Sequence, residues 1–164
     1  MMNKNIALFG ISLAVVVVDQ LSKYWVLQNI AFRERVNVIP DFFDLTLVFN
    51  PGAAFSFLAG AGGWQKYFFL LLAAGICFWL AYSVIKQKMS KPAAVGAVMV
   101  IGGAIGNVID RLWHGQVVDF LLFYWQNHYY PAFNIADSFI CLGVFLMLMD
   151  GFVHKNPSTD DQAV

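Results

Sequence analysis

The sequence has few charged side chains. Only 12% of its 164 residues are Asp, Glu, Lys or Arg, whereas 60% are hydrophobic. A soluble domain usually carries about 25% charged residues, and one small core cannot cover this much apolar surface. The composition therefore excludes an ordinary water-soluble domain and favours a bilayer as the surrounding medium.

Cysteine is also scarce, and metal-binding motifs are missing. Cys77 and Cys141 lie in apolar stretches and form no C-x-x-C pair, so we interpret both as buried small hydrophobic residues. The three histidines show no H-E-x-x-H spacing. We expect no disulfide, no metal and no cofactor. The formal net charge is zero, which gives no reason to expect a nucleic-acid partner.

Four apolar segments are long enough, or nearly so, to span a bilayer, which takes about 20 residues. They cover about residues 5–27, 67–85, 92–109 and 135–153. The first resembles a signal peptide, but no small-x-small cleavage site follows it, so we expect it to be retained. We predict an all-α membrane protein with one integral-membrane domain over residues 1–155. Residues 156–164 are polar and are expected to form a disordered tail.

Basic residues indicate the orientation of these spans. Lys86, Lys88 and Lys91 lie between the second and third spans, and Lys4 and Lys155 lie beside the two ends of the sequence. The positive-inside rule places both termini and this link in the cytoplasm. Residues 28–66 and 110–134 are then extracytoplasmic.

The two outer segments differ in pattern. Leu45, Leu47 and Phe49 alternate within residues 44–50 and predict a short strand. Pro51 and Gly52 predict a turn, and residues 53–58 are expected to begin a short interfacial helix. Residues 113–134 are rich in Trp and Tyr, whose rings favour the headgroup layer.

Polar residues at membrane depth are costly and tend to mark function. Asp19 and Lys23 are four apart, which favours an ion pair within one helix. Two further groups have i, i+3, i+4 spacing, one near the end of the third span and one at the start of the fourth. These groups are Asn107, Asp110 and Arg111, and Asn134, Asp137 and Ser138.

Asp119 and Asp137 are the candidate catalytic pair. The third and fourth spans run antiparallel, so the segment between them brings both carboxyl groups to the same side and depth. Two carboxyl groups held close together in a low-dielectric site do not both ionise easily. One keeps its proton while the other acts as a base towards water. The pattern indicates an aspartic endopeptidase.

Other interpretations of the polar residues remain open. Asp19–Lys23 is expected to be structural, Asp110–Arg111 to form an ion-pair framework, and Asp150 to be an interfacial residue. Two other functions also remain open. One is a small proton- or ion-coupled transporter that uses buried Asp, Asn and Arg. The other is a serine peptidase using Ser138 or Ser56 with His128, although no G-x-S-x-G motif surrounds either serine.

Five blocks of sequence resemble bacterial lipoprotein signal peptidase, also called signal peptidase II, over nearly the whole chain. They are DQLSK, NPGAAFSF, GGAIGNVIDR, VVDF and FNIADS, at residues 19–23, 50–57, 102–111, 117–120 and 133–138. The resemblance implies a four-helix bundle with a small extracytoplasmic sheet and a short interfacial helix. It also implies cleavage of diacylglyceryl-modified prolipoproteins before the lipidated cysteine, in the inner membrane, and inhibition by globomycin-like cyclic peptides. A monomer is expected.

The resemblance also assigns residues to the site. Asp119 and Asp137 match the family's catalytic aspartates. Supporting or substrate-binding positions match Asp19, Lys23, Asn50, Gly52, Asn107, Asp110, Arg111, Asn134 and Ala136. We expect Asn50 to bind substrate backbone, and Asn107 and Asn134 to orient the Asp pair. We expect Arg111 to fix the end of the third span through Asp110 or backbone carbonyls. Gly102-x-x-x-Gly106 is expected to allow close helix packing.

Overall fold

The computed structural model of the chain describes residues 2–52 and 64–153. It contains four helices, α1 (Met2–Asn29), α2 (Trp64–Ile85), α3 (Lys91–Trp113) and α4 (Ile135–Val153). It also contains four strands, β1 (Arg35–Ile39), β2 (Phe43–Asn50), β3 (Val117–Trp125) and β4 (His128–Tyr129). The predicted combination of four long apolar helices with a small sheet is confirmed. The expected interfacial helix at 53–58 and the tail at 156–164 lie outside the described residues.

The helix α3 occupies the centre of the bundle and contacts the other three helices. Small residues on α3 allow this close approach. A Cβ atom added at Gly102 would lie 2.7 Å from the carbonyl oxygen of Ser12 on α1, and one at Gly106 would collide with the carboxylate of Asp19. The expected packing role of this glycine pair is confirmed.

The outer surfaces of α1, α2 and α4 are apolar. Five large side chains on these helices are 54% to 76% exposed, namely Leu13, Leu71, Phe78, Phe145 and Phe152. Helices that are apolar on every side belong in a membrane. Cys141 is exposed on this surface and Cys77 is half-buried. The expectation that both cysteines are buried is therefore wrong, because lipid-facing and core-facing positions are equally apolar.

The four strands form one antiparallel sheet in the order β1-β2-β3-β4. The strand predicted at 44–50 is confirmed as β2. The strand β3 was not predicted, because residues 117–125 are almost continuously apolar and lack alternation. The sheet packs against the end of α1 through an apolar cluster made by Val26, Ile30, Leu47, Val118 and Phe120.

This packing decides where Asp119 is directed. Val118 and Phe120 lie in the cluster against α1, and successive side chains of a strand point to opposite faces. Asp119 therefore points to the other face of β3. Because α1 and α3 run towards the sheet and α4 runs away from it, both Met2 and Val153 lie at the end of the bundle opposite Asp119.

Close packing of α3 on α4 can be tested at two glycines. A Cβ atom at Gly143 would lie 2.9 Å from Val100 Cγ2 and would collide with the carbonyl oxygen of Gly96, whereas one at Gly75 would meet nothing. Gly143→Ala should lower the free energy of unfolding by about 1–3 kcal/mol through overpacking. Gly75→Ala should raise it by about 0.5–1 kcal/mol through helix propensity. Thermal unfolding in detergent measures both, and shifts of the same sign would contradict this packing.

Candidate functional site

Asp119 and Asp137 are brought together by one residue, Asn134. Asn134 Nδ2 donates a hydrogen bond to Asp119 Oδ1 at 2.8 Å. The backbone N–H of Asn134 donates to Asp137 Oδ2 at 3.4 Å. The expectation that the two carboxyl groups meet at one end of the bundle is therefore met by the geometry.

Asn134 also caps the start of α4. Its Oδ1 accepts a hydrogen bond from the backbone N–H of Asp137 at 2.8 Å, while Asp137 Oδ2 accepts from the backbone N–H of Asn134. This reciprocal pattern is a capping box, which satisfies donors at a helix start. Asn134 lies immediately before the fourth span predicted at about 135–153, and in the structure it is the residue that caps α4. The i, i+3 spacing of Asn134 and Asp137 therefore reflects the cap.

Asn107 connects Asp137 to the interior of the bundle. Asn107 Nδ2 donates to Asp137 Oδ1 at 2.8 Å. Its Oδ1 accepts from Lys23 Nζ and from Asn134 Nδ2, both at 3.1 Å. Because a lysine ammonium only donates, the amide oxygen must face Lys23 and the amide N–H₂ must face Asp137. Lys23 thus fixes the orientation of the amide that binds Asp137.

Asn50 approaches Asp119 from β2. Asn50 Nδ2 donates to Asp119 Oδ2 at 2.9 Å, and its Oδ1 accepts from the backbone N–H of Gly52 at 2.9 Å. An Asn that binds the backbone two residues later forms a local turn, and this turn directs the N–H₂ group towards Asp119. Gly52 has φ of 101°, a conformation that side chains with a Cβ rarely adopt.

Lys23 lies at the centre of a buried ion cluster. Its Nζ is 2.8 Å from Asp19 Oδ2 and 2.8 Å from Asp110 Oδ2, and its side chain is only 2% exposed. The predicted Asp19–Lys23 pair is confirmed. Asp110 forms its ion pair with Lys23 across the bundle, since neighbouring helix positions such as Asp110 and Arg111 do not face each other. The charges of Asp110 and Arg111 still interact.

The same two carboxylates anchor the elements that carry the catalytic candidates. Asp19 Oδ1 accepts from the backbone N–H of Ala136 at 2.9 Å, in the first turn of α4. Asp110 Oδ2 accepts from the backbone N–H of Val118 at 3.0 Å, immediately before Asp119. Ala136 is fully buried, and it contributes its backbone N–H to the candidate site.

Arg111 lies beside the Asp pair. Its Nη1 donates to the carbonyl oxygen of Asn107 at 3.2 Å, so the expected bond to a backbone carbonyl is confirmed. Its guanidinium carbon lies 5.0 Å from the ring centroid of Phe69 on α2. The positive charge of Arg111 interacts with Asp137 and Asp119. The Asp pair therefore has a cation at its edge.

Gln20 was not selected from the sequence as a site residue. Its Nε2 donates to Asp19 Oδ2 and Asp110 Oδ1, both at 3.1 Å, and to the carbonyl oxygen of Gly106 at 3.2 Å. The sequence did contain a signal for Gln20, because it is a second polar residue next to Asp19 within an apolar span. The contact of Phe69 with Arg111 was not predicted either, because an aromatic residue in an apolar span does not indicate a contact with an arginine.

The two acids have different surroundings. Asp119 is 1% exposed, whereas Asp137 is half-buried. Burial raises the pKa of Asp119 to about 7, because a charge is poorly solvated there. The hydrogen bonds from Asn50 and Asn134 lower the pKa of Asp119, and the charge of Asp137 raises it further. Near neutral pH, Asp119 is therefore able to hold a proton.

The serine alternative that pairs Ser138 with His128 finds no matching geometry. Ser138 Oγ donates to the carbonyl oxygen of Asn134 at 3.0 Å. His128 pairs with Trp125 at the far end of β3, about 20 Å along the strand from Asp119 at roughly 3.3 Å per residue. The structure therefore does not bring His128 to Ser138. Ser56 lies outside the described residues.

Comparisons with known proteins agree on one family. The family model described as signal peptidase (SPase) II matches residues 11–153. A lipoprotein signal peptidase from Neisseria gonorrhoeae is 62% identical over 148 residues, which is 90% of either chain. One from Chromobacterium violaceum is 48% identical over 151 residues, or 92% of either chain.

Two solved structures of a bacterial membrane enzyme, obtained by the in meso method, share this fold. One is 30% identical to this chain with a TM-score of 0.78, and the match covers 96% of this chain and 94% of the other chain. The other is 31% identical, also with a TM-score of 0.78, and covers 96% of both chains.

The dual role of Asn134 predicts an unusually large effect of its removal. Asn134→Ala loses a helix cap, worth about 1 kcal/mol, and leaves the buried Asp119 without one donor, worth about a further 1–3 kcal/mol. Ser90 caps α3 at the other end of the bundle, where its side chain accepts from the backbone N–H of Ala93 at 3.3 Å. Ser90→Ala is the matched control and should lose only the cap. Equal losses of unfolding free energy in the two variants would contradict the dual role.

Proposed function

Because this chain belongs to the signal peptidase II family, we propose that it removes signal peptides from prolipoproteins by aspartic peptidase chemistry. The substrate is a prolipoprotein carrying a diacylglyceryl group, and cleavage occurs just before the lipidated cysteine. Asp119 and Asp137 are the catalytic pair. The family membership and the hydrogen bonds that join both carboxyl groups to Asn134 support this assignment.

The pair divides the roles of acid and base. Asp119 is the proton-holding partner, since burial raises its pKa to about 7. Asp137 is the base: it is half-buried, it accepts hydrogen bonds from Asn107 and Asn134, and it lies in the first turn of α4. The start of a helix favours a negative charge.

The proposed reaction follows from these two roles. Asp137 takes a proton from a water molecule, whose oxygen attacks the scissile carbonyl carbon. Asp119 gives its proton to the carbonyl oxygen, which becomes a hydroxyl group of the tetrahedral intermediate. The C–N bond then breaks as Asp137 gives its proton to the leaving amine and Asp119 recovers a proton from the hydroxyl group. Both acids return to their starting states.

The supporting residues maintain the different surroundings of the two acids. Asn50 binds Asp119, Asn107 binds Asp137, and Lys23 orients Asn107. Arg111 places a positive charge beside the pair, where it limits the repulsion between two acids. We assign Asn50 the role of orienting Asp119, in addition to any contact with substrate backbone.

The proposal includes a location. The lysine-rich link between α2 and α3 supports placing both termini in the cytoplasm, and the Asp pair lies at the opposite end of the bundle. The site then faces the outside of the bacterial inner membrane. The apolar outer surfaces of the helices allow the acyl chains and the signal helix to approach sideways from the lipid. Inhibition by globomycin-like cyclic peptides is part of the same proposal.

A transporter function is not supported. The matched family is a peptidase family, and the polar cluster around Lys23 and the Asp pair lies at one end of the bundle. Transporters place their coupling sites near the bilayer midplane. In the described residues, the polar groups of the candidate site form hydrogen bonds at the end of the bundle that carries the sheet.

Neutralising either acid tests the catalytic assignment. Asp119→Asn and Asp137→Asn should each lower the rate of cleavage of a diacylglyceryl-modified prolipoprotein by at least about 10²–10⁴-fold, the usual worth of a general acid or base. Asp41→Asn, at an exposed residue of the β1–β2 turn, is the control and should keep normal activity. Folding of each variant is checked by thermal unfolding. A folded Asp119→Asn or Asp137→Asn enzyme with normal turnover would remove the acids from the mechanism.

The raised pKa of Asp119 predicts a pH profile. Its acid form is lost as pH rises through about 7, so kcat/KM should fall about tenfold per pH unit above that value. The free energy of unfolding should change with pH in the same direction. The contribution from the protonated Asp119 is fully present below its unfolded pKa of about 3.9 and is lost as pH rises through about 7. Melting temperatures of wild type and Asp119→Asn should therefore diverge between pH 5 and pH 8, and parallel curves would argue against a neutral Asp119.

A further inference from the structure

A cavity lies at the end of the bundle opposite the Asp pair. Its volume is about 580 Å³, and it is lined by the start of α1, the end of α2, the link after it and the start of α3. Lys91 and Asn107 are 16 positions apart on α3, which corresponds to about 24 Å at about 1.5 Å per residue. The cavity is therefore separate from the candidate peptidase site.

The polar residues of the cavity lining lie mainly where the helices end, beside the apolar Met89. Gln87, Ser90 and Lys91 lie at its mouth, where the helices end. Leu8 and Ile11 lie deeper along α1, opposite small residues of α3. In a membrane, the mouth lies at the level of the lipid headgroups and the deeper part at the level of the hydrocarbon. The volume is within the range of about 300–1,000 Å³ that is common for ligand pockets.

Lys91 gives the cavity lining one positive charge, and two further lysines lie in the link nearby. Lys86, Lys88 and Lys91 lie in or beside the link, and the sequence contains no Asp or Glu from residue 67 to residue 109. Among the described residues at this end of the bundle, the acidic one is Asp150, on α4. The lining of the cavity comes from α1, α2, α3 and the link, and not from α4.

We propose that this cavity binds an anionic phospholipid. One acyl chain occupies the apolar part, and the phosphate group lies at the mouth near Lys91. The occupant must combine negative charge with a hydrocarbon chain, because the lining combines lysine with apolar side chains. A membrane supplies such a molecule directly. The proposal does not depend on the catalytic roles of Asp119 and Asp137.

Native mass spectrometry of the purified full-length protein in detergent tests the proposal. The probes are dioleoyl phosphatidylglycerol, which is anionic, and dioleoyl phosphatidylcholine, which has the same chains and no net charge. Glycerol 3-phosphate tests whether the headgroup alone suffices. We expect the wild-type protein to retain phosphatidylglycerol at least about fivefold more strongly than phosphatidylcholine, as one basic residue near an anionic group provides. Glycerol 3-phosphate should not bind.

Three variants localise the site. Lys91→Gln should weaken phosphatidylglycerol binding about fivefold and leave phosphatidylcholine unchanged. Lys66→Gln, at the other end of α2, is the matched control and should change neither. Ala7→Trp, at an exposed residue that lines the cavity, should fill it and weaken retention of phosphatidylglycerol. Prolipoprotein cleavage by all three variants should stay within about twofold of wild type, which confirms folding.

Several outcomes would overturn the proposal. Equal retention of the two phospholipids by the wild-type protein would mean that charge plays no part. Equal effects of Lys91→Gln and Lys66→Gln would mean a diffuse layer of lipid around the bundle. Undiminished binding by Ala7→Trp would place the lipid elsewhere, and binding of glycerol 3-phosphate would indicate a site for free phosphate esters.

Discussion

The ammonium group of Lys23 lies 2.8 Å from a carboxylate oxygen of Asp19 and 2.8 Å from one of Asp110, almost out of reach of water. A buried charge is tolerated only when it is paired and hydrogen-bonded. The two acids that neutralise Lys23 also accept backbone N–H groups at the start of α4 and at the start of β3. Those two elements carry Asp137 and Asp119, so the position of the catalytic candidates depends on this ion cluster.

The cluster also makes the two acids unequal. Lys23 attracts the oxygen of the Asn107 amide and so directs its N–H₂ group at Asp137. Asn134 binds Asp119 through its side chain and Asp137 through its backbone. Asp137 is partly open to water, whereas Asp119 is buried. A site that needs one proton between two carboxyl groups gains a defined place for that proton from unequal burial.

Much of the helical part of the molecule could be predicted from the sequence. The four helices lie at the four apolar segments, and the Asp19–Lys23 pair follows from a spacing of four. The candidate site residues were predicted largely from the five sequence blocks and their resemblance to a family. The strand β3 was missed, because a buried strand and a buried helix segment are both continuous apolar runs. The spacing of Asn134 and Asp137 did not reveal the cap, because a cap has the same spacing as a helical pair.

The sequence alone determined relations within one element. Helix geometry is fixed, so spacing places Asn107 and Asp110 on one face and puts the polar residues at one end of an apolar bundle. Only the tertiary structure decided relations between elements: that Asp110 pairs with Lys23 of α1, that Asn134 lies between both acids, and that Asp119 is the more buried one. The physical reason is that burial and partner choice depend on which surfaces pack together, and no spacing along the chain specifies that.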